Sequence, residues 1–175
     1  MKIRNNSKSR MSLWGIGPVY VGLSAAVALL CFIADHVLRL PVFSGVFSIV
    51  LIVLGSLLIP AGFGIWYLAA RGIKSYIRTG RLADDGIYSV VRNPIYSGIL
   101  IAFSGICLIL HRPLMLLPPV FAYCILRMLL KKEERVMEEC FGEQYRIYKV
   151  NTNAVIPSAG PLIRLLLGRL SKQQP

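Results

Sequence analysis

Val42-Phe-Ser-Gly-Val-Phe-Ser-Ile-Val-Leu-Ile-Val-Leu-Gly-Ser-Leu-Leu-Ile-Pro-Ala-Gly-Phe-Gly-Ile-Trp-Tyr-Leu-Ala-Ala70 decides the fold class. No charged side chain occurs anywhere in it. A bilayer crossing needs about 20 mostly apolar residues in helical form, and this run exceeds that. No amphipathic period interrupts it, so the helix it predicts is apolar all round and suits lipid on several faces. Gly55, Gly62 and Gly64 within it offer places where a second helix can come close. Pro60 predicts a kink or a break.

Three further runs extend the reading. Gly17 to Val37 precedes it, interrupted late by Asp35 and His36. Ile95 to Leu110 and Leu114 to Met128 follow it, parted only by His111, Arg112 and Pro113. The last two are short and close, which predicts a tight helical hairpin whose second helix continues beyond the bilayer. The composition agrees: 55% of the 175 residues are hydrophobic and 16% charged, against roughly a quarter charged in ordinary globular domains. The expected fold is all-α, an integral membrane bundle of about four transmembrane helices with a cytoplasmic C-terminal helical segment. The first run is longer than a signal-peptide core and no small-x-small cleavage site follows it, so it is expected to stay as an anchor.

Charge sets the orientation, because positive residues collect in cytoplasmic loops. Lys2, Arg4, Lys8 and Arg10 precede the first run; Arg71, Lys74, Arg78, Arg81 and Arg92 join the second to the third. Lys131, Lys132, Arg135, Arg146, Lys149, Arg164, Arg169 and Lys172 follow the fourth, whereas the other two connections hold only Arg39 and Arg112. Both termini are therefore expected in the cytoplasm, with the chain in the plasma (inner) membrane of a prokaryote. Three parts follow: a basic segment 1–16, a four-span domain 17–130 that includes the cytoplasmic loop 71–94, and a cytoplasmic segment 131–175. Residues 161–170 within the last resemble an interfacial amphipathic helix, too short to cross. The net charge of +12 reads as topology and attraction to anionic headgroups. No nucleic-acid partner is expected, and nothing indicates an oligomeric state.

Three of the four cysteines, Cys31, Cys107 and Cys124, fall in predicted spans and Cys140 outside, with no C-x-x-C pair. They read as packing residues, and no metal site is expected. Seven of the eight carboxylates lie in parts assigned to the cytoplasm, while His36 and His111 lie near the opposite face. A cytoplasmic site would then work with carboxylates, arginines, tyrosines and backbone, which argues against Ser-His or His-metal chemistry. Neither a phosphate-binding loop nor a dinucleotide fingerprint occurs.

Two segments carry ordered chemistry. In Asp85-Gly-Ile-Tyr-Ser-Val-Val-Arg-Asn-Pro-Ile-Tyr-Ser-Gly98, Asp85-Gly86 signals a turn. Asn93 is placed to cap the third span and Pro94 to open it. The amides and positive dipole end of that helix would face the cytoplasmic interface and could hold an anion. The alternative is a well-capped helix start with an interfacial tyrosine, Tyr96. In Lys131-Lys-Glu-Glu-Arg-Val-Met-Glu-Glu-Cys-Phe-Gly-Glu-Gln-Tyr-Arg-Ile-Tyr148, the fourth helix would emerge and stop near Gly142. Glu133 or Glu134, where the chain leaves the bilayer, is either a ligand-binding carboxylate or part of a solvated helix face.

Together the two segments resemble the isoprenylcysteine carboxyl methyltransferase and phospholipid methyltransferase superfamily of membrane enzymes. That superfamily's pattern is Gly-x-Tyr-x-x-x-Arg-His-Pro-x-Tyr-x-Gly, followed further along the chain by Glu-Glu, Phe-Gly-x-x-Tyr-x-x-Tyr and a proline. The chain offers Gly86, Tyr88, Arg92, Pro94, Tyr96 and Gly98, then Glu133, Glu134, Phe141, Gly142, Tyr145, Tyr148 and Pro157. Asn93 stands in place of the usual histidine, as in sequences similar to phosphatidylethanolamine methyltransferases, and cannot titrate near neutral pH.

The resemblance implies S-adenosylmethionine as cofactor and a lipid or other lipophilic acceptor reached from the bilayer. It implies a cofactor set of Tyr88, Arg92, Asn93, Pro94, Tyr96, Gly98, Glu133, Glu134, Tyr145 and Tyr148, with Arg92, Asn93 and Glu134 nearest the chemistry. Arg92 and the helix start would meet the cofactor carboxylate. Glu133 or Glu134 would meet its ammonium or ribose, and Tyr96, Tyr145 or Tyr148 its adenine or sulfonium. Two other readings stand beside it: a membrane reductase of related fold using NADPH, and a membrane scaffold without activity.

Overall fold

The computed structural model describes residues 15–157. The basic residues 2–10 and the tail 161–170 lie outside that range. Five α-helices carry the described chain: α1 (Gly17–Val37), α2 (Gly45–Thr79), α3 (Pro94–Ile109), α4 (Leu117–Phe141) and α5 (Glu143–Asn151). Single 3-10 turns at Gly86–Ser89 and Pro113–Leu116 lead into α3 and α4. No strand occurs among the described residues.

Length and composition match an integral membrane bundle. α1, α2 and the segment Pro113–Phe141 are each long and apolar enough to cross a membrane, whereas α3 is apolar but shorter. At 1.5 Å per residue α3 spans about 24 Å, less than a hydrocarbon core of about 30 Å. α2 is 35 residues long, about 52 Å, so it outruns the core, and Arg71, Lys74 and Arg78 sit on the part nearest α3's start. The helix is continuous through Pro60, so the break allowed by the sequence is absent. It stops at Gly80, whose φ of +65° and N–H bond to the Tyr76 carbonyl form a left-handed cap. The outer surface is apolar, with Leu30, Val46, Leu57 and Phe63 all well exposed.

Two helix pairs make the bundle, α2 on α3 and α1 on α4, joined where α3 meets α4. Glycines bring α2 and α3 together. A Cβ on Gly55 would sit 2.5 Å from the Gly105 carbonyl oxygen, and one on Gly62 would sit 2.5 Å from that of Gly98. On each helix the two glycines are two turns apart, and they pair antiparallel, so the backbones touch at two points. Without a hydrophobic drive between helices in lipid, such close packing is the main source of their cohesion. Gly64, expected to serve likewise, does not: nothing lies within 4 Å of a Cβ there. It lies on another face of the helix from Gly62.

Tyr20, Ala122, Leu126 and Leu130 form the buried seam between α1 and α4. At its far end Asp35 is fully buried, 3.9 Å from an Arg112 Nη1 whose guanidinium lies 5.3 Å over the Phe32 ring. The late interruption in the first run is thus one half of a link to the α3–α4 hairpin. Cys107 is buried and Cys31 half-buried, as packing residues would be, whereas Cys124 and Cys140 are exposed.

Candidate functional site

Arg92 begins the site, just before α3. Tyr88 and Val91 beside it are buried, and the Tyr88 hydroxyl donates to the Ala69 carbonyl at 3.2 Å. The loop is therefore tied to α2 before α3 starts. Arg92 Nη2 meets Glu134 Oε1 at 2.7 Å with side chains 7% and 13% exposed. Its Nη1 donates to the Lys149 carbonyl at 2.6 Å. The other oxygen of Glu134 takes Lys149 Nζ at 3.0 Å, and Lys149 also reaches Glu138 at 2.8 Å. One arginine, two glutamates and one lysine thus bind the α3 start, α4 and α5 into one unit. Sequence reading had Arg92 and Glu134 as cofactor contacts; here each is the other's partner, and Lys149, which it missed, completes the bracket. No local spacing signals it, since Lys149 and Arg92 are far apart along the chain.

The bonds from Glu138 and Glu134 hold the Lys149 ammonium above its usual range. A raised folded-state value means this stabilisation is fully present below the ordinary lysine range and is lost as pH rises through the raised value. Thermal stability is therefore expected to keep this contribution at neutral pH and to lose it only as pH rises beyond about 10.5, lysine's ordinary value. In Lys149→Met the loss is expected already at neutral pH, as a lower melting temperature and as faster amide exchange over α5 than in the wild type, read by hydrogen-exchange mass spectrometry in detergent.

Asn93 occupies the N-cap position of α3, but its side chain does not cap. Its Nδ2 and backbone N–H both donate to the Ala154 carbonyl, at 2.9 and 3.1 Å. Arg92 N–H donates to the Asn153 carbonyl, and Ser97 Oγ to that of Val155 at 2.6 Å. Residues 153–155 therefore lie along the start of α3 and bring carbonyl oxygens, where sequence reading placed an open anion site. Pro94, in the first turn as expected, is fully buried.

Tyr145 and Tyr148 are buried with Leu82, away from the membrane seam. The Tyr148 hydroxyl donates to the Tyr88 carbonyl at 2.6 Å. Burial pushes the Tyr145 phenol up to about 12, with Glu134's charge adding to it, and raises Tyr148 further by the same cause. Both stay protonated at neutral pH, and the Tyr148 hydroxyl fastens α5 to the loop. Gly98 faces α2, where its missing side chain admits the Gly62 carbonyl and Trp66. Its role in the structure is helix contact.

Glu133 stands apart from the bracket. Its Oε1 accepts the Tyr96 hydroxyl at 2.9 Å and the Ile16 N–H at 3.1 Å, at the start of α1. Gly15 adjoins them with φ of +43°; a Cβ there would meet Glu133 Oε1 at 2.6 Å and the Tyr96 oxygen at 2.9 Å. The Tyr96 ring is edge-on to Tyr20, 6.2 Å between centroids. A half-buried carboxylate, a phenol and a helix start thus meet where α1, α3 and α4 converge. No group of metal-ligating side chains occurs among the described residues.

Fold and site define the class: a multi-span membrane protein whose third and fourth helices are locked together at one end by a buried arginine–glutamate bracket. The chain belongs to the phospholipid methyltransferase family, whose model matches residues 25–144. It is also similar to protein-S-isoprenylcysteine O-methyltransferase B of Arabidopsis thaliana, 26% identical over 148 residues that cover 75% of this chain and 73% of the relative. No solved structure gives a significant match. The protein is thus a membrane methyltransferase of the isoprenylcysteine and phospholipid kind.

Proposed function

We propose that the protein transfers a methyl group from S-adenosylmethionine to a lipophilic acceptor at the cytoplasmic face of the membrane, with Glu133 and Tyr96 at the reacting end. The observation that carries this reading is the Glu133 carboxylate, bonded to Tyr96 and Ile16 beside a glycine where α1, α3 and α4 meet. These residues fit the cofactor's polar parts. A half-buried carboxylate suits an ammonium or ribose hydroxyls, and a tyrosine ring suits a sulfonium. When bound, the cofactor supplies a methyl group bearing a neutral leaving group.

What the chain contributes is positioning and proton control. Arg92, Glu134 and Lys149 fix α3 against α4 and so fix Tyr96 relative to Glu133. Holding the two reactants in line supplies much of the acceleration in such a displacement. A carboxylate or thiolate acceptor needs no base, while an ammonium must first lose a proton. Asn93 cannot take that proton, being a neutral amide bonded to Ala154. An acceptor that is already anionic needs no base, which suits a site whose Glu133 carboxylate is given to the cofactor.

The basic loops support cytoplasmic termini, and the plasma membrane of a prokaryote is the setting we propose. On this reading the three parts 1–16, 17–130 and 131–175 are a basic cytoplasmic segment, the four-span membrane domain and a cytoplasmic segment that completes the cofactor site. The test is methyl transfer from tritiated S-adenosylmethionine by the purified protein in vesicles. One arm offers an S-prenylated N-acetylcysteine, the other phosphatidylethanolamine. Base-labile label in the first arm or base-stable label in the second is the expected result. Absence of label in both, together with absence of S-adenosylhomocysteine binding by folded protein, would sink the proposal.

A further inference from the structure

α1 is the least buried of the three spans long enough to cross a membrane. The side chains it buries are Tyr20, Ser24 and Asp35, all polar. The Tyr20 and Ser24 hydroxyls and both Asp35 carboxylate oxygens are buried without a hydrogen-bond partner among the described residues. Unpaired polar groups at membrane depth are costly, and here they weaken the seam that holds α1 to α4. α2 and α3, by contrast, meet backbone to backbone at two pairs of glycines. Of the spans, α1 is the one that can shift at least cost.

The start of α1 covers the candidate site. A carboxylate oxygen offers two lone pairs, and on Glu133 Oε1 the Ile16 N–H and the Tyr96 hydroxyl take both, at 3.1 and 2.9 Å. Gly15 lies so close that a Cβ there would meet the same oxygen at 2.6 Å and the Tyr96 oxygen at 2.9 Å. A Cβ on Gly17 would touch Tyr96 Cε1 at 3.9 Å. The backbone of residues 15–17 therefore lies against both the carboxylate and the ring. These are the groups that the proposed function gives to an ammonium or ribose and to a sulfonium.

We infer that the start of α1 is an autoinhibitory plug: Gly15 and Ile16 hold the place on Glu133 that the methyl donor takes, and α1 swings out to admit it. This rests on the function proposed above. The pivot is the outer end of α1. There Asp35 faces Arg112 at 3.9 Å and its carbonyl accepts the Leu40 N–H at 3.2 Å. The Phe43 N–H, just beyond, donates to the His111 carbonyl in the α3–α4 hairpin. At 1.5 Å per residue α1 is about 31 Å long, so a tilt of about 10°, ordinary for a membrane helix, carries its start about 5 Å. Opening breaks the Ile16 bond, and a charge-assisted contact from the ligand replaces it. Apparent affinity is lowered by the fraction of molecules that are plugged, so whatever loosens the plug tightens binding.

The experiment follows S-adenosylhomocysteine binding to the full chain in phosphatidylcholine nanodiscs by surface plasmon resonance. Gly15→Ala puts a methyl group 2.6 Å from Glu133 Oε1 and disfavours the φ of +43° that the contact uses. Ile16→Pro removes the N–H but keeps the carbonyl that accepts the Tyr20 N–H, and the Ile16 φ of −84° is close to proline's own. Each variant is expected to associate faster and bind at least about threefold tighter than the wild type, as more molecules stand open. A start of α1 that merely braces Glu133 for the ligand would give the opposite sign.

If neither variant, once shown to be folded, associates faster, the inference is overturned. Amide exchange of the ligand-free wild type, resolved to single residues, is the second measurement. The Ile16 N–H is expected to exchange at least about tenfold faster than the α4 amides around Glu133, since the plug opens without unfolding the bundle. Exchange as slow as theirs would mean that Ile16 leaves Glu133 only on unfolding, and would overturn the inference with or without a ligand. Absence of S-adenosylhomocysteine binding in every form would remove the proposed function, while exchange at Ile16 still decides whether the start of α1 leaves the carboxylate.

Discussion

Arg92→Ala is expected to destabilise the protein by about 3–5 kcal/mol, the usual cost of removing one partner from a buried ion pair. Arg92 and Glu134 are nearly inaccessible to solvent at 2.7 Å, so the carboxylate left behind is poorly hydrated. Lys149 would stay within 3.0 Å of it, but its side chain is 38% exposed and gives a more screened contact. The guanidinium also holds the Lys149 carbonyl, so its loss frees the α5 backbone as well. Arg92→Lys should recover only part of the stability, since an ammonium cannot serve both Glu134 and the carbonyl in the fork geometry of arginine. Thermal unfolding in detergent, followed by circular dichroism, measures all of this. The double variant Arg92→Met, Glu134→Leu gives the sharper outcome. If the bracket is structural, removing both charges restores much of the lost stability; if Arg92 acts only on a ligand, the double variant is no more stable than the single one.

Gly62→Val is expected to part α2 from α3. A Cβ at that position would lie 2.5 Å from both the Ala102 nitrogen and the Gly98 oxygen, and backbone atoms cannot swing aside as a side chain can. Replacing glycine within a helix normally gains up to about 1 kcal/mol of propensity. Overpacking of a close contact costs typically about 1–3 kcal/mol and sometimes more, and here the backbone clash wins. Gly64→Val is the control, because nothing lies within 4 Å of its Cβ, and it should be neutral or slightly stabilising. Cysteines placed across the α2–α3 contact and tested for crosslinking would show the Gly62 variant losing a contact that the Gly64 variant keeps.

The membrane class was legible because lipid imposes a length and a polarity that few sequences meet by accident. The run at 42–70, the hairpin at 110–113 and the stop at Gly142 each announced an element that the structure contains. The third helix was also legible from Asn93-Pro94, since proline at a helix start is a local rule. What lay beyond local rules was the use of each side chain. Gly62 and Gly64 look alike in sequence, yet only one faces α3, and a small rotation around the helix decides it. Asn93 sits at a capping position and still turns to Ala154, distant in sequence, because residues 153–155 arrive along the helix start.

Within the site, the sequence singled out Glu133 and Glu134 together and could not divide their roles. Adjacent positions on a helix differ by about 100°, so one faces α5 and the Arg92 bracket and the other faces α1 and Tyr96. Lys149 lacked any local signal, being one of many basic residues in a basic segment. Tyr88, Tyr145 and Tyr148 stood out by their spacing, but spacing alone does not tell a ring that meets a ligand from one that fastens a loop.

The central claim is that Glu133, with Tyr96, forms one wall of an S-adenosylmethionine site. Calorimetric titration of the detergent-solubilised protein with S-adenosylhomocysteine, alongside Glu133→Gln, tests it most directly. The account predicts binding by the wild type that weakens at least about tenfold in a variant of unchanged thermal stability, the loss expected for one charge-assisted contact. Equal binding by both would contradict the assignment of Glu133, and no binding by a folded wild type would contradict the cofactor itself.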